Sequence, residues 1–375
     1  MTERERFRET LLFGHPDRIP FSPGGPREST RAAWKAQGLE QPEHYMDALF
    51  DILGFRPDPP RQPGVGLGVS FQMIPTFEEK VLEHRDGHYI VQDWMGAITE
   101  ISDQYDYTYI RSAKDFVTRK WHKFPVESRA DWEAMKWRYD PAAPARFPAD
   151  FEARCERNLD RDTVLGIHFN GPFWQLREWC GLEGLCLKMI EEPAFVAEMA
   201  DFWAEFVSAT MRPVLERVPL DYVGISEDMA YKAHSMISPR MARLFLQPTY
   251  ERWASEIHAS GCEIIDMDSD GYVGELIPIW IESGINACDP IEVAAGNDIL
   301  AFRRAFGRRM AYKGGVDKRA IARGGDVIEA ELERIRPVVE GGGYIPSCDH
   351  GVPPDISWED FVHYSRLLAG LTGWL

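Results

Sequence analysis

"DYVGISEDMAYKAHSMISPRMARLFLQPTYERWASEIHASGCEIIDMD", residues 221–268, holds two short apolar runs, DYVGIS (221–226) and EIIDMD (263–268). Between them lies a helical pattern, SPRMARLFLQPTYERWASEIHASG, with a Ser cap, Pro at its first position and a Gly stop. The same unit recurs from residue 161 onward, with further strand candidates at TVLGIHF (163–169), INACD (285–289), MAYKGG (310–315) and GYIPS (343–347). The intervening PAFVAEMADFWAEFVSATMRPVLERV repeats apolar residues at spacings of three and four, and DKRAIARGGDVIEAELERIRPVVEGGG ends in glycine. Repeated strand–helix units imply an α/β fold with a parallel sheet. Six units, DRIPF (17–21) and one strand hidden in the first half would make the eight of a (β/α)8 TIM barrel, one domain over residues 1–375.

Residues 1–160 read differently, as an irregular region rich in Pro, Trp and Tyr. RPDPPRQPGVGLG (56–68) suits neither a helix nor a central strand. EKVLEHRDGHYIVQDWMGAITEIS reads as a small β-meander turning at Asp86-Gly87 and near Met95-Gly96.

With 44% hydrophobic and 27% charged residues, 375 residues have ample material for a core. A formal net charge of -18 repels phosphate backbones and argues against nucleic acid as a partner. No apolar run reaches the roughly 20 residues needed to cross a bilayer. The first residues, MTERERFRETLLFGH, read as a charged amphipathic helix without a signal peptide's apolar centre. Six cysteines without a CxxC pair fit a reduced, cytoplasmic protein. The Trp- and Tyr-rich first half offers material for a homodimer interface.

In a barrel of this kind the active site lies at the C-terminal ends of the strands. Those ends carry His168 and Asn170, then Glu227 and Asp228, then Asp266, Asp268 and Asp270, then Asp289, then Lys313 and Asp317, and finally Cys348, Asp349 and His350. Carboxylates crowded on one rim repel one another unless a cation, a shared proton or raised pKa values relieve them. An Asp at a strand end is also a common helix cap, the reading given to Asp317 and Asp355. Asp266, Asp268 and Asp270 alternate, so they share one face of an extended chain.

The chain resembles the uroporphyrinogen decarboxylase superfamily, which includes corrinoid-dependent methyltransferases. HPDRIPF, GPFWQLREW, EDMAYKAHSMISPRMARLFLQPTYERW, YKGGVDKRAIARGG and CDHGVPPDISWEDFVHY carry the resemblance in order along nearly the whole chain. It implies a (β/α)8 barrel. Arg27 and Arg31 in RESTR match the spacing of the decarboxylase branch's substrate-binding arginines, but the residues between them differ. That branch's site tyrosine is matched by Trp179.

The methyltransferase branch holds zinc through His-x-Cys and a late Cys, matched here by Asp268, Asp270 and His350, with Cys348 close by and Glu227 on the same rim. The resemblance thus implies a zinc or other divalent metal site of changed ligand type. It also implies methyl transfer from a small methoxylated or methylated donor to a corrinoid carried by a partner protein. His350, Asp270 and Glu227 would be catalytic. His168, Asn170, Trp174, Trp179, Tyr231, Lys313, Arg27 and Arg31 would bind substrate. The alternative is a metal-free carboxy-lyase, with the arginines and Lys313 binding carboxylates and His350 or Asp270 moving protons. A barrel that only binds a small ligand is the third reading.

Overall fold

The computed structural model describes residues 1–108, 111 and 117–375. The first half contributes an antiparallel sheet in which β1 (Lys80–Arg85), β2 (His88–Gln92), β3 (Ile98–Ser102) and β4 (Arg119–Lys123) follow one another. The turn at Asp86-Gly87 is where sequence places it, with both residues at positive φ. β4 is an addition to the expected meander.

The second half forms a six-stranded parallel sheet of β5 (Gly166–Asn170), β6 (Tyr222–Ser226), β7 (Ile265–Asp268), β8 (Ala287–Asp289), β9 (Ala311–Val316) and β10 (Tyr344–Cys348). Neighbours in this sheet are neighbours in sequence. All six strand candidates of the second half are therefore strands. The crossover helices follow the capping signals: Ser238 accepts from the Met241 N–H, and Asp317 from the Arg319 N–H. Ser357, not Asp355, caps the helix Trp358–Thr372. The long patterns divide where the chain allows it, into Pro239–Phe245 and Gln247–Ala259, and at Gly324-Gly325 into Lys318–Arg323 and Asp326–Glu340.

Two expected strands do not form, and the described residues show six barrel strands rather than a closed eight. DRIPF is irregular, and prolines at 16, 20, 23 and 26 deprive that stretch of ladder donors. It is held instead by single bonds such as Ile19 N–H to the Thr372 carbonyl at 3.0 Å. Further along, Pro26 makes one parallel bridge with Val352 beside β10. At the β5 edge no hidden strand appears. Residues 64–74 run past it, with Phe71 packed on Phe169 at 5.0 Å between ring centroids, but bond to residues 138–163.

Arg146 secures that substitute edge. Its side chain is fully buried and donates to the carbonyls of Asp140 at 2.5 Å, Ser70 at 3.1 Å, Gln72 at 2.7 Å and Arg138 at 3.1 Å. Each bond from a charged donor is worth about 1.5–3 kcal/mol, and buried carbonyls left unpaired add to the loss. Arg146→Ala should therefore cost about 3 kcal/mol or more, seen as a lower urea midpoint. An unchanged midpoint would show that this edge needs no such clamp.

Candidate active site

The parallel register sets Ser226, Asp268 and Asp289 side by side at the ends of β6, β7 and β8. Lys313 of β9 reaches the same place, with its Nζ on Asp266 and 3.1 Å from Asp289 Oδ2. A cleft of about 610 Å³ opens above them, bordered also by Asp228, Asp270, Trp174, Cys348, His350 and the turn at Gly24-Gly25. Gly314 must be glycine: its φ is +85°, and a Cβ there would stand 2.0 Å from the Pro290 carbonyl oxygen.

His350 is held from two sides. Its Nε2 lies 3.1 Å from Asp270 Oδ2 and its Nδ1 3.2 Å from Arg27 Nη2. Arginine has no acceptor, so Nδ1 takes the Arg27 proton and the Nε2–H donates to Asp270. Arg27 arrives because residues 25–27 run alongside 352, with Arg27 N–H on the Val352 carbonyl and Val352 N–H on that of Gly25. Asp270 raises the pKa of His350, while burial, Lys318 and Arg27 oppose the rise.

The carboxylates feel one another. Burial, then Asp228, pushes Asp268 up to about 6, although Ser226 Oγ donates to it at 3.1 Å. Asp228, at the unusual φ of 41°, is raised by burial and Asp270. Asp289 is raised by burial and Asp266. Burial disfavours charge on Lys313, but Asp266 and Asp289 outweigh it and hold the ammonium charged.

Asp268, Asp270, His350, Lys313, Trp174 and Cys348 thus meet in one cleft. The other expected residues do not join them. Glu227 is buried against the start of the helix Pro172–Cys180, where it accepts from the Trp174 N–H at 2.8 Å and from Tyr250 Oη. Burial lifts it to about 7, and its bonds to Trp174 and Tyr250 make it a buried anchor for that helix. Trp179 is core, among Trp132, Tyr139 and Trp203. Tyr231 is 73% exposed on the loop after β6 and outside the cleft lining. His168 and Asn170 line a neighbouring cleft; His168 Nε2 lies 2.8 Å from Tyr222 Oη. Arg31 lies outside the cleft lining. Asp349 is a buried structural acceptor for the N–H groups of Val293 and Lys318.

Asp228 and Asp289, which the family pattern did not single out, belong to the site; their positions at strand ends were the available signal. Asp266 lies on the same face of β7 as Asp268.

As arranged, the expected ligand set does not fit a metal ion. Both His350 nitrogens are engaged, burial pushes the Cys348 thiol up to about 12, and no three His, Cys, Asp or Glu side chains among the described residues are grouped to hold a metal. All six cysteines are free, and no helix among the described residues is long and apolar enough to cross a membrane.

A carboxyl raised by folding stabilises fully below its unfolded pKa, and that contribution is lost as pH rises through the folded value. For Asp268 the window runs from about 4, the unfolded value, to about 6. Asp268→Asn should therefore raise the melting temperature at pH 8 and change it little at pH 4. A variant less stable than wild type at pH 8 would contradict the crowding.

No curated protein sequence matches the chain. Among solved structures, a methyltransferase from Methanosarcina mazei is similar over 100% of this chain and 98% of its own, with a TM-score of 0.58 and 15% identity. That likeness shows a shared fold. The family model of uroporphyrinogen decarboxylase (URO-D) matches residues 121–366, which contain all six parallel strands and every cleft carboxylate. The chain belongs to the uroporphyrinogen decarboxylase family.

Proposed function

We propose that this is a methyltransferase-like enzyme of the family, with its active site in the cleft above Asp268, Asp289 and Lys313. The carrying observation is the sign of the charge there. Asp228, Asp268, Asp270 and Asp289 converge on one cleft, while the single Lys313 is shared between Asp266 and Asp289. A polycarboxylate such as a porphyrinogen would meet repulsion on entry. A carboxy-lyase would need arginines to offset this, but Arg31 stands apart and Arg27 is directed at His350.

A small methylated donor fits better. The cleft lies within the size range of small-molecule sites. His350, aligned by Asp270 and Arg27, orients the donor at the cleft wall, and Trp174 gives it an apolar side. The methyl group is passed to a reduced corrinoid brought by a partner protein. We derive no metal-assisted step, because the donor set as arranged does not fit one.

Loss of a positioning group can lower a rate by about 100-fold through misplacement alone. His350→Ala and Asp270→Asn should each lower methyl transfer to reduced cobalamin by about that factor, with circular dichroism unchanged. Full activity in either folded variant would remove the cleft from the mechanism.

A further inference from the structure

The cleft's charges are unevenly matched. Lys313 is taken by Asp266 and Asp289, and Lys318 lies 2.9 Å from Glu292 and 4.0 Å from Asp349. Arg177 donates to the main-chain oxygen of Asp228 at 2.7 Å. That leaves the Arg27–His350 pair facing Asp228, Asp268 and Asp270, with the His350 Nε2–H on Asp270 and the Arg27 guanidinium on the other ring nitrogen. Among the described residues, Asp228 Oδ1 accepts only a main-chain N–H, from Asp270 at 3.1 Å, and Asp268 Oδ2 only a hydroxyl.

A second observation concerns the two carboxylates bound to Lys313. Asp289 Oδ1 and Asp266 Oδ1 are buried with no hydrogen-bond partner among the described residues, and Asp266 is only 3% exposed. Negative charge is therefore incompletely matched at the wall and beneath it. A third is Trp174, which brings an aromatic ring to the lining; Arg177 sits 5.1 Å from its centroid. Carboxylates with an aromatic wall recognise onium groups.

We infer that the methyl donor is a small onium cation, a methylated ammonium or sulfonium, held between the Asp228, Asp268 and Asp270 carboxylates and Trp174. This rests on the methyl-transfer reading above and names its substrate class. The chemistry balances with the groups present. The acceptor's electron pair forms the new bond to the methyl carbon, and the C–N⁺ or C–S⁺ bond breaks with its pair staying on the heteroatom. A neutral amine or sulfide leaves, so neither a proton nor a Lewis acid is required at the leaving atom. A methoxyl donor would need one or the other.

The test is calorimetric titration of the full chain with choline and with its neutral isostere, 3,3-dimethylbutan-1-ol. Choline should bind about 10-fold more tightly or better, on the scale of one cation–π contact with its carboxylates. Asp228→Asn should reduce that preference. Equal binding of the two by wild type, or no binding of either, overturns the inference without reliance on any variant. Methyl transfer to reduced cobalamin is then assayed separately, with onium and methoxylated donors. Selective choline binding without transfer from any donor defeats the methyl-transfer reading, whereas transfer from methoxylated donors only defeats the onium assignment alone.

Discussion

One ammonium shared by a buried and a half-buried carboxylate holds the floor of the site together. Lys313 on β9 meets Asp266 on β7 and Asp289 on β8, so the ion group spans three adjacent strands. Asp266 is 3% exposed, and an uncompensated carboxylate there would be costly. The triad ties register to charge. Slipping β9 by one residue would turn Lys313 to the other face of the sheet and strand both aspartates. Beside Lys313, Gly314 at φ +85° lets the chain pass close to the Pro290 carbonyl.

From that floor the rest of the cleft can be derived. β7 carries Asp268 one alternation beyond Asp266, and its exit loop delivers Asp270 to His350. β10 brings Cys348 and His350, while the strand-like run at Pro26 brings Arg27 to the same ring. The N-terminal third of the chain is thus not an appendage. It supplies part of the cleft wall at Gly24-Gly25 and fixes the orientation of the histidine.

Much of this was legible because the second half obeys simple periodicities. Its strands are short apolar runs, its helices announce themselves with Ser-Pro or Asp caps, and polar residues gather where strands end. The first half resisted for a physical reason. Its edge segments are proline- and glycine-rich, so side chains such as Arg146 and Asn158 satisfy the backbone in place of a ladder. Such long-range pairings leave no local pattern. The same limit applied to Glu227 and Trp179, whose neighbours in sequence face the cleft or its helix while they face inward. Family correspondence marked Asp268, Asp270 and His350, but it could not foresee that Arg27 and Asp270 would occupy both nitrogens of the ring.

The acidic cleft runs against the stability of the fold. Asp228, Asp268 and Asp289 all have pKa values raised first by burial and then by a neighbouring carboxylate, so each ionised form is disfavoured where it stands. A fold with no use for this charge could replace the group with amides or apolar residues at similar volume and gain stability. Structural carboxylates here differ in their partners: Asp349, though also raised by burial, accepts two main-chain N–H groups, and Asp221 is bound by Arg4 and Arg161. The contrast separates aspartates matched by the protein from those whose charge is left incompletely matched at the cleft. A cationic guest would complete the latter set, binding most strongly where the empty site is least comfortable. On this view the strain at the rim and the selectivity of the cleft are one property, set by a lining in which, among the described residues, one lysine faces four aspartates.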